Sequence, residues 1–210
     1  MKDLIIVGAG GFGRDLYYII IDSIGYNIDF KILGYIDDNL EVMNGFSDYP
    51  KLLGKISDHE ILENQIFICS IGNIGLKNFI SSSLISKGAI FINIIHSTAR
   101  IAKSSSLGTG IIIGPLVSIG ANSKIGDHCI LQTGVIVGHD VIIGDYSRID
   151  NYSILVAGVI LQKFCTIHSN SVINSKILIN EKATVGACSF VIKNVHAGTT
   201  VFGNPAKLLL

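Results

Sequence analysis

The sequence predicts an α/β domain that forms half of a Rossmann fold, followed by a parallel β-helix built from hexapeptide repeats. Two observations carry this prediction. From residue 95 to residue 191, every sixth residue is Ile, Leu or Val without a gap. Near the N-terminus, a short apolar run leads into the glycine-rich segment 8–14 and then into a segment with helical spacing. We expect the first domain to span 1–92 and the second to span 93–210.

The period of six separates the second half from both common secondary structures, since a helix repeats every ~3.6 residues and a strand every ~2. In a hexapeptide β-helix each short strand forms one side of a prism, and three hexapeptides close one coil. Residues eighteen apart should therefore stack on one another. The aliphatic positions are Ile95, Ile101, Leu107, Ile113, Ile119, Ile125, Leu131, Val137, Ile143, Ile149, Leu155, Leu161, Ile167, Ile173, Ile179, Val185 and Val191.

Two companion positions support the repeat. A second small or apolar residue usually follows four positions after the aliphatic residue, and both should point into a narrow interior. Gly is common directly after the aliphatic residue, which we expect to suit corners with unusual backbone angles. An all-β meander or Greek key is the competing fold, but it would need strands of varying length.

Composition argues against several classes of protein. The chain has 16 basic and 16 acidic residues and a formal net charge of zero. Nothing therefore predicts a nucleic-acid partner or a membrane-surface patch. Mean hydropathy is high at +0.54, yet no apolar stretch is long enough to span a bilayer. The four cysteines show no CxxC spacing, so we expect a reduced, cytoplasmic protein.

The first domain begins with a pattern that favours anion binding. Residues 3–8 predict a buried strand and residues 14–24 a helix, and Gly8, Gly10 and Gly13 form GxGxxG between them. Such a turn presents backbone N–H groups and a helix N-terminus to a phosphate. A tight strand-to-helix turn without a ligand is the alternative.

Polar residues follow the next two predicted strands. Strand 32–36 ends in Asp37 and Asp38, near the place of the ribose-binding acid in a Rossmann unit, and strand 66–71 leads into Gly72 and Asn73. About ninety residues can hold only one of the two mononucleotide-binding halves of a dinucleotide site. We therefore predict a nucleotide or nucleotide-sugar ligand rather than NAD.

His139 is the strongest candidate for chemistry in the second domain. Its neighbours eighteen residues before and after are Ala121 and Ala157, so the imidazole should project from a groove walled by methyl groups. Asp140 follows directly and could hold the imidazole in the tautomer that accepts a proton. A surface histidine beside an acid is the alternative.

The histidines do not predict a metal site. A β-helical zinc site would need histidines about five residues apart, and the residues five positions after His128 and His139 are Thr133 and Gly144. None of the four histidines within the repeat occupies an inward position, so none should lie in the core.

With these features in place, the chain resembles the bacterial nucleotide-sugar acetyltransferases, which include PglD-like UDP-amino-sugar N-acetyltransferases and NeuD-like sialic acid O-acetyltransferases. The resemblance covers nearly the whole chain in the same domain order. The motifs that carry it are GAGGFGR at 8–14, YIDD at 35–38, SIGN at 70–73, VGHDVIIGD at 137–145 and VFGNPAK at 201–207.

The resemblance implies a homotrimer of left-handed β-helices with active sites in the clefts between protomers. It implies His139 as the general base, Asp140 as the residue that orients it, and Ala157 with Gly158 at the developing oxyanion. Acetyl-CoA is the implied donor, lying along the β-helix, and no metal is implied. The residues implied at the cofactor end are Gly186, Ala187, Gly203, Asn204 and Pro205.

On the acceptor side, the resemblance implies that the first domain holds the nucleotide of a sugar substrate. The implied residues are Gly8, Gly10, Gly11, Phe12, Gly13, Asp37, Asp38, Gly72, Asn73, Gln132 and Arg148. Two of them depart from the family pattern, since family members often carry histidine where this chain has Phe12 and Arg148. Arg cannot act as a base near neutral pH but can bind phosphate or carboxylate.

Three functions compete. The leading one is acetyl transfer from acetyl-CoA to the amino group of a UDP-linked amino sugar, of the 4-amino-4,6-dideoxy type, for surface glycan synthesis. The second is O-acetylation of sialic acid or a related sugar, which a guanidinium at Arg148 would suit. The third is a non-catalytic trimer that only binds a nucleotide-sugar, against which the His139–Asp140 pair argues.

Overall fold

In a computed structural model, which describes residues 1–209, the chain forms two compact units. The first unit is Met1–Ile95, and the second begins at His96. The first contains a parallel sheet and two helices, and the second is a parallel β-helix. Both parts of the predicted fold class are confirmed.

The first unit has the strand order of half a Rossmann fold. Its elements are β1 (Lys2–Val7), α1 (Gly11–Ile21), β2 (Phe30–Ile36), β3 (Leu52–Gly54), β4 (Gln65–Cys69) and α2 (Ile74–Ser86). The strands are parallel and lie in the order β3-β2-β1-β4. The chain therefore builds outward on one side of β1 and then crosses to its other side, which places the reversal of winding beside the carboxyl end of β1.

The local reasons for these elements can be read from the chain. Residues 4–7 and the whole of β4 are buried, because strands of a parallel sheet covered on both faces read as continuous apolar runs. Helix α1 begins earlier than predicted, at Gly11, because the glycine-rich turn itself supplies the first helical turn. The sequence did not indicate β3, since a three-residue edge strand is too short to show a period.

The second unit is made almost entirely of two-residue strands. After β5 (Ile94–Ile95), which ends the first unit, the strands are β6 (Arg100–Ile101), β7 (Ser106–Leu107), β8 (Ile112–Ile113), β9 (Ser118–Ile119), β10 (Lys124–Ile125), β11 (Ile130–Leu131), β12 (Ile136–Val137), β13 (Ile142–Ile143), β14 (Arg148–Ile149), β15 (Ile154–Leu155), β16 (Ile160–Leu161), β17 (Thr166–Ile167), β18 (Val172–Ile173), β19 (Leu178–Ile179), β20 (Thr184–Val185) and β21 (Phe190–Val191). A closing hairpin follows, formed by β22 (Thr200–Gly203) and β23 (Ala206–Leu208).

These strands form three sheets, which we call face 1, face 2 and face 3. Face 1 runs from β6 through β12 to β21, face 2 from β7 through β13 to β19, and face 3 from β8 through β14 to β20 and the closing hairpin. Each strand pairs with the strand eighteen residues away. We name the edges by the faces they join: residues 138–141 and 156–159 lie on edge 1–2, residues 126–129 and 144–147 on edge 2–3, and residues 132–135 and 150–153 on edge 3–1.

The interior follows the predicted register. The aliphatic positions from residue 113 to residue 191 are all buried, whereas Ile95, Ile101 and Leu107 are half-buried in the first coil. The companion residues four positions later are buried as well. Most serine companions donate their hydroxyl to a backbone carbonyl, as Ser123 does to Gly138 at 2.8 Å and Ser153 to His168 at 2.9 Å. The hydroxyl of Ser189 instead accepts the Gly203 N–H at 3.0 Å. These hydrogen bonds satisfy the buried hydroxyls.

The corners correct the explanation expected for the repeat glycines. The left-handed backbone conformation falls three positions after the aliphatic residue, where non-glycine residues such as Asp140 (φ 57°) and Tyr146 (φ 56°) adopt it. The glycines directly after the aliphatic residue are needed for close approach instead. A Cβ on Gly120 or Gly138 would lie 2.8 Å or less from backbone atoms of the next coil.

The expectation that no histidine in the repeat is buried is wrong for two of them. His128 is 3% exposed and His96 is 9% exposed, although neither points into the column. His128 lies on edge 2–3 and stacks on Tyr146 with ring centroids 4.8 Å apart, and Tyr146 stacks on Phe164 at 5.5 Å. A ladder of rings on that edge buries the imidazole, which a register argument about inward positions could not anticipate.

The packing of the column makes a simple prediction about stability. Leu155 is fully buried, so Leu155→Ala should lower the free energy of unfolding by about 2–5 kcal/mol through lost burial and a residual cavity. Leu209 is 60% exposed, and Leu209→Ala should change the free energy of unfolding by less than about 0.5 kcal/mol. Chemical denaturation at one fixed protein concentration checks both values. Equal effects from the two variants would contradict the described interior.

Candidate functional site

His139 and Asp140 form a hydrogen-bonded pair on edge 1–2. The His139 Nδ1 atom lies 2.6 Å from Asp140 Oδ2, and both side chains are more than half exposed. Asn122, one coil earlier, donates its amide to the other oxygen of Asp140 at 3.3 Å. The hydrogen bond from His139, and next the one from Asn122, hold the pKa of Asp140 below its usual range.

This pairing determines which nitrogen of His139 can act. An ionised carboxylate can only accept hydrogen bonds, so Nδ1 carries the proton that it shares with Asp140. The Nε2 atom then has its lone pair available, and it has no hydrogen-bond partner within residues 1–209. The imidazole is therefore oriented to accept a proton from a molecule in solution or in a bound complex.

The backbone N–H of Ala157 lies one coil along the same edge and is open to a ligand. No acceptor for this N–H occurs in the described part of the chain, whereas the neighbouring Gly158 N–H donates to the His139 carbonyl at 3.0 Å. A Cβ on Gly138 would lie 2.8 Å from the Ala157 nitrogen. Glycine at position 138 thus leaves the Ala157 N–H uncovered beside His139.

Two of the corresponding N–H groups on edge 2–3 are occupied by carboxylates. Thr109 donates its backbone N–H to Asp127 Oδ1 at 2.8 Å, and Asp127 donates its own to Asp145 Oδ1 at 3.1 Å. Lys163 forms an ion pair with Asp145 at 2.7 Å. The alanines of edge 1–2 have no carboxylate with which to cap an N–H group of the preceding coil.

Two predicted site residues lie on another side of the column from His139. Arg148 projects from face 3, and Gln132 begins edge 3–1. The predicted cofactor residues Gly186 and Ala187 also lie on edge 3–1. Within one chain the structure does not bring these residues together with His139, because face 1 separates edge 3–1 from edge 1–2.

Arg148 takes part in a charged cluster that sequence reasoning missed. Its Nε and Nη2 atoms donate to the two oxygens of Asp150 at 2.6 and 2.7 Å. His168 Nδ1 lies 3.0 Å from Asp150 Oδ2, and the hydrogen bond to Asp150 raises the pKa of Arg148. The eighteen-residue spacing of Asp150 and His168 could have revealed the pair, since that spacing stacks them on one edge.

The closing hairpin holds the last predicted cofactor residues. Gly203, Asn204 and Pro205 form its turn, and the Gly203 N–H donates to the Ser189 hydroxyl at 3.0 Å. A Cβ on Gly186 would lie 2.6 Å from the Phe202 ring. The hairpin therefore packs against the same edge 3–1 that carries Gly186 and Ala187.

The glycine-rich turn of the first unit divides into structural and open glycines. A Cβ on Gly13 would lie 2.3 Å from the Gly8 carbonyl oxygen, and Gly8 has φ +98°. Both positions therefore require glycine for the turn itself. Gly10 and Gly11 have open space where a Cβ would stand, and Phe12 beside them is half-buried.

The polar candidates of the first unit have distinct partners. Asp37 accepts the Ala9 N–H at 2.8 Å, so its carboxylate lies against the glycine-rich turn. Asp38 instead accepts the N–H groups of Ile56 and Ser57, in the loop after β3.

Beyond β4, Asn73 caps α2 by accepting the Leu76 N–H at 2.9 Å. Gly72 lies in the turn between them. Ser70 donates to the Gly8 carbonyl at 2.6 Å, which ties the β4 end to the glycine-rich turn.

Within residues 1–209, neither a metal site nor a membrane-spanning helix is found. No group of three or more His, Cys, Asp or Glu side chains is arranged to hold a metal ion. Neither helix has the length and apolar character that a membrane span requires. Cys69, Cys129 and Cys165 are buried and form no disulfide, and burial raises the pKa of Cys165 to about 11.

Comparison with known proteins matches both units. Residues 3–84 match the model of the PglD N-terminal domain, and residues 122–157 match that of the bacterial transferase hexapeptide, with six repeats. The chain is 28% identical over 117 residues to a UDP-N-acetylbacillosamine N-acetyltransferase of Bacillus subtilis. That match covers 54% of this chain and 51% of the relative, so the chain matches about half the relative's length.

Solved structures share the whole fold. PerB of Caulobacter crescentus, in complex with CoA and GDP-perosamine, has a TM-score of 0.89 at 23% identity and covers 100% of this chain and 98% of its own. The acetyltransferase domain of PglB from Neisseria gonorrhoeae has a TM-score of 0.89 at 22% identity, with both chains fully covered.

The fold and the two family matches define a protein that joins a PglD-type N-terminal domain to a hexapeptide-repeat β-helix. The matches together include more than half of the chain. The chain is therefore similar to the PglD-like sugar acetyltransferases in both of its units, and the resemblance stated from its motifs is confirmed.

The geometry of the His139 pair predicts a titration. Removing the imidazole in His139→Ala should raise the pKa of Asp140, because the hydrogen bond from His139 is the largest influence lowering it. Asn122→Gly should raise the same pKa by a smaller amount, since the Asn122 amide is the second influence. Carboxyl-carbon NMR titration of both variants measures the change. An unchanged Asp140 titration in His139→Ala would show that the pair does not form.

Proposed function

We propose that the protein transfers an acetyl group from acetyl-CoA to the amino group of a UDP-linked amino sugar, of the 4-amino-4,6-dideoxy type, for surface glycan synthesis. The observation that carries the proposal is the oriented His139–Asp140 pair beside the uncovered N–H of Ala157. Acyl transfer to an amine needs both a proton acceptor and a donor for the oxyanion.

The reaction uses these groups in sequence. The sugar amine attacks the thioester carbonyl while His139 Nε2 takes its proton, and the charge that forms on the imidazole is stabilised by Asp140. The carbonyl oxygen becomes an oxyanion that accepts the Ala157 N–H. Collapse of the tetrahedral intermediate breaks the C–S bond, and the CoA sulfur leaves with the proton that His139 returns. The products are the amide and free CoA.

The names of the relatives favour nitrogen over oxygen as the acylated atom. The Bacillus subtilis relative is an N-acetyltransferase of a UDP-amino sugar, and the Caulobacter crescentus structure contains CoA with GDP-perosamine. The PglB domain was also solved with acetyl-CoA, at 23% identity to this chain. The names of these relatives contain different nucleotides, UDP and GDP, so they agree on the amino sugar more than on the nucleobase of the acceptor.

We place the two substrates on separate units. The donor lies along the β-helix, near Ala157 and Gly158 at its thioester end and near Gly186, Ala187 and the hairpin turn 203–205 at its other end. The acceptor's diphosphate lies at the glycine-rich turn, where Gly10 and Gly11 leave space before α1. Asp37, at the end of the neighbouring β2, lies nearest to that turn for a ribose contact.

The assembly we propose is a homotrimer. Outward-facing residues on faces 1 and 2 include Ile136 at 45% exposure, Ile142 at 41% and Phe190 at 37%. Apolar side chains on the outside of several neighbouring strands indicate surfaces that another copy would cover. We also propose a cytoplasmic location, since three buried cysteines that form no disulfide suit a reducing compartment.

Removal of the base provides the direct test of the activity. His139→Ala should reduce kcat for acetyl transfer to a UDP-4-amino sugar by about 10²- to 10⁴-fold, measured by release of the CoA thiol. The His139 side chain is 65% exposed, so the melting temperature should hardly change. Asp140→Asn should cost less, since the base remains. Thiol release only with free or CMP-linked sialic acid would establish O-acetylation instead, and nucleotide-sugar binding without thiol release would leave a binding protein.

The glycine-rich turn offers a test in which stability and binding move in opposite directions. Gly11→Asp places a carboxylate in the first turn of α1, where the helix dipole favours it, so the fold should not be weakened. The same charge repels a diphosphate, so KM for the nucleotide-sugar should rise at least about tenfold while KM for acetyl-CoA is unchanged. Gly11→Ala is the matched control and should resemble the wild type more closely, because open space surrounds its Cβ. Equal acceptor KM values in the two variants would place the diphosphate elsewhere.

A further inference from the structure

Edge 3–1 carries a second histidine–carboxylate pair, formed by His168 and Asp150. The distance from His168 Nδ1 to Asp150 Oδ2 is 3.0 Å, and the Asp150 side chain is only 7% exposed. Arg148 holds the same carboxylate through two donors. The His168 side chain is 40% exposed, and its Nε2 atom has no hydrogen-bond partner among the residues described.

The position of Asp150 in the repeat makes it unusual. The residue directly after the inward aliphatic is Gly at seven places, where the next coil approaches closely. On edge 3–1 the same position carries Gln132, Asp150 and His168 in three successive coils. Taking a carboxylate out of water is costly unless it is paired. The arrangement therefore fixes the His168 ring more firmly than a solvated surface pair would.

The height of His168 along the column decides which substrate it can reach. Strands of successive coils are about 4.8 Å apart, and eighteen residues make one coil. Ala157 therefore lies one spacing beyond His139, and His168, 29 residues beyond His139, lies about 8 Å along the column. Gly186 lies directly one coil after His168 on the same edge. Along the column axis, the imidazole therefore lies beyond the thioester of acetyl-CoA and before Gly186. It is at the height of the part of acetyl-CoA that joins the thioester to the end near Gly186.

We propose that His168, positioned by Asp150 and Arg148, binds acetyl-CoA, and that its Nε2 atom forms a hydrogen bond with an amide of the pantetheine arm. This inference rests on the proposed function, since it needs CoA as the ligand. In this arrangement Arg148 acts through Asp150 as a positioning residue, because two of its donors are committed to that carboxylate. The role of the guanidinium is then to hold a neighbour rather than to bind a substrate anion.

The His168 contact comes from a different copy of the chain than the base. Within one column, edge 1–2 with His139 and edge 3–1 with His168 are separated by face 1, whose outer side carries apolar residues such as Ile136 and Phe190. A polar pantetheine arm would not cross that apolar face while another copy covers it. In a ring of three, the two different edges of neighbouring copies meet at each interface. One donor then contacts His139 of one copy and His168 of the next.

Calorimetry with CoA tests the contact without relying on turnover. His168→Ala should weaken CoA binding by about three- to tenfold, the loss expected for one hydrogen bond. His168→Gln should recover part of it, since the amide can still form a hydrogen bond. Asp150→Asn should weaken CoA binding with His168 intact. Lys163→Ala, which removes a comparable ion pair on edge 2–3, is the matched control and should bind CoA like the wild type.

The outcomes separate the two proposals. Wild-type protein that does not bind CoA would refute the proposed function itself. Wild-type protein that binds CoA while His168→Ala binds equally well would overturn only the His168 assignment. A melting temperature equal to that of the wild type in His168→Gln, together with weakened CoA binding in His168→Ala, supports the assignment.

Kinetics with mixed oligomers tests the sharing of the site. In random trimers of His139→Ala and His168→Ala chains, about a quarter of the sites would combine an intact His139 with an intact His168 from the next copy. At acetyl-CoA concentrations far below KM, these sites, together with those that lack only His168, should give about a quarter to a third of wild-type activity. If both residues act from one chain, no site is intact, and the half of the sites that keep His139 would give only about one twentieth to one sixth, which would refute the sharing.

Discussion

The whole second unit depends on the close stacking of identical eighteen-residue coils. Each of the three hexapeptides in a coil must place an aliphatic residue and a small companion inward, turn through a left-handed residue, and let the next coil approach within backbone contact. Once these requirements are met, the backbone geometry at each outward position is nearly the same from one coil to the next. Chemistry can then be introduced by changing one outward residue without disturbing the column.

The candidate site is such a local departure from the common pattern. On edge 2–3, carboxylates cap the backbone N–H groups of Thr109 and Asp127, and His128 stacks on Tyr146, so side chains cover that part of the edge. On edge 1–2, Ala121 and Ala157 replace those side chains, and Gly138 removes the last Cβ that could cover the N–H of Ala157. The exposed imidazole of His139 therefore stands beside an unused donor. The same backbone geometry produces an inert edge and a reactive one, depending on which small residues it carries.

Much of the fold and of the candidate site could be predicted from the sequence, because the repeat of six residues assigns each residue to a position in the coil. The inward residues, the place of His139 outside the core and its pairing with Asp140 all follow from register and chain adjacency. The closeness of Asp37 to the glycine-rich turn followed from strand order in a parallel sheet. The burial of His128 did not follow, because it depends on Tyr146, eighteen residues away and outside the inward register. The start of α1 and the short β3 also escaped, since capping and edge pairing leave little trace in hydrophobic spacing.

The commitment of Arg148 to Asp150 lies between these cases. The two residues are only two positions apart in the chain, yet a motif comparison treats position 148 by itself and assigns it a role in the acceptor site. Only the side-chain geometry shows that a carboxylate two residues later takes the guanidinium.

Equal coil length also has a consequence for how such proteins can diverge. The distance along the column between His139 and the closing hairpin is set by the number of residues between them, and every eighteen of these residues add one strand spacing. Duplication or loss of eighteen residues between them would lengthen or shorten the column in steps and leave every packing contact inside it equivalent. Growth by any other number of residues would rotate the later side chains onto the wrong face. The axial distance between His139 and the hairpin can therefore change only in steps of one whole coil.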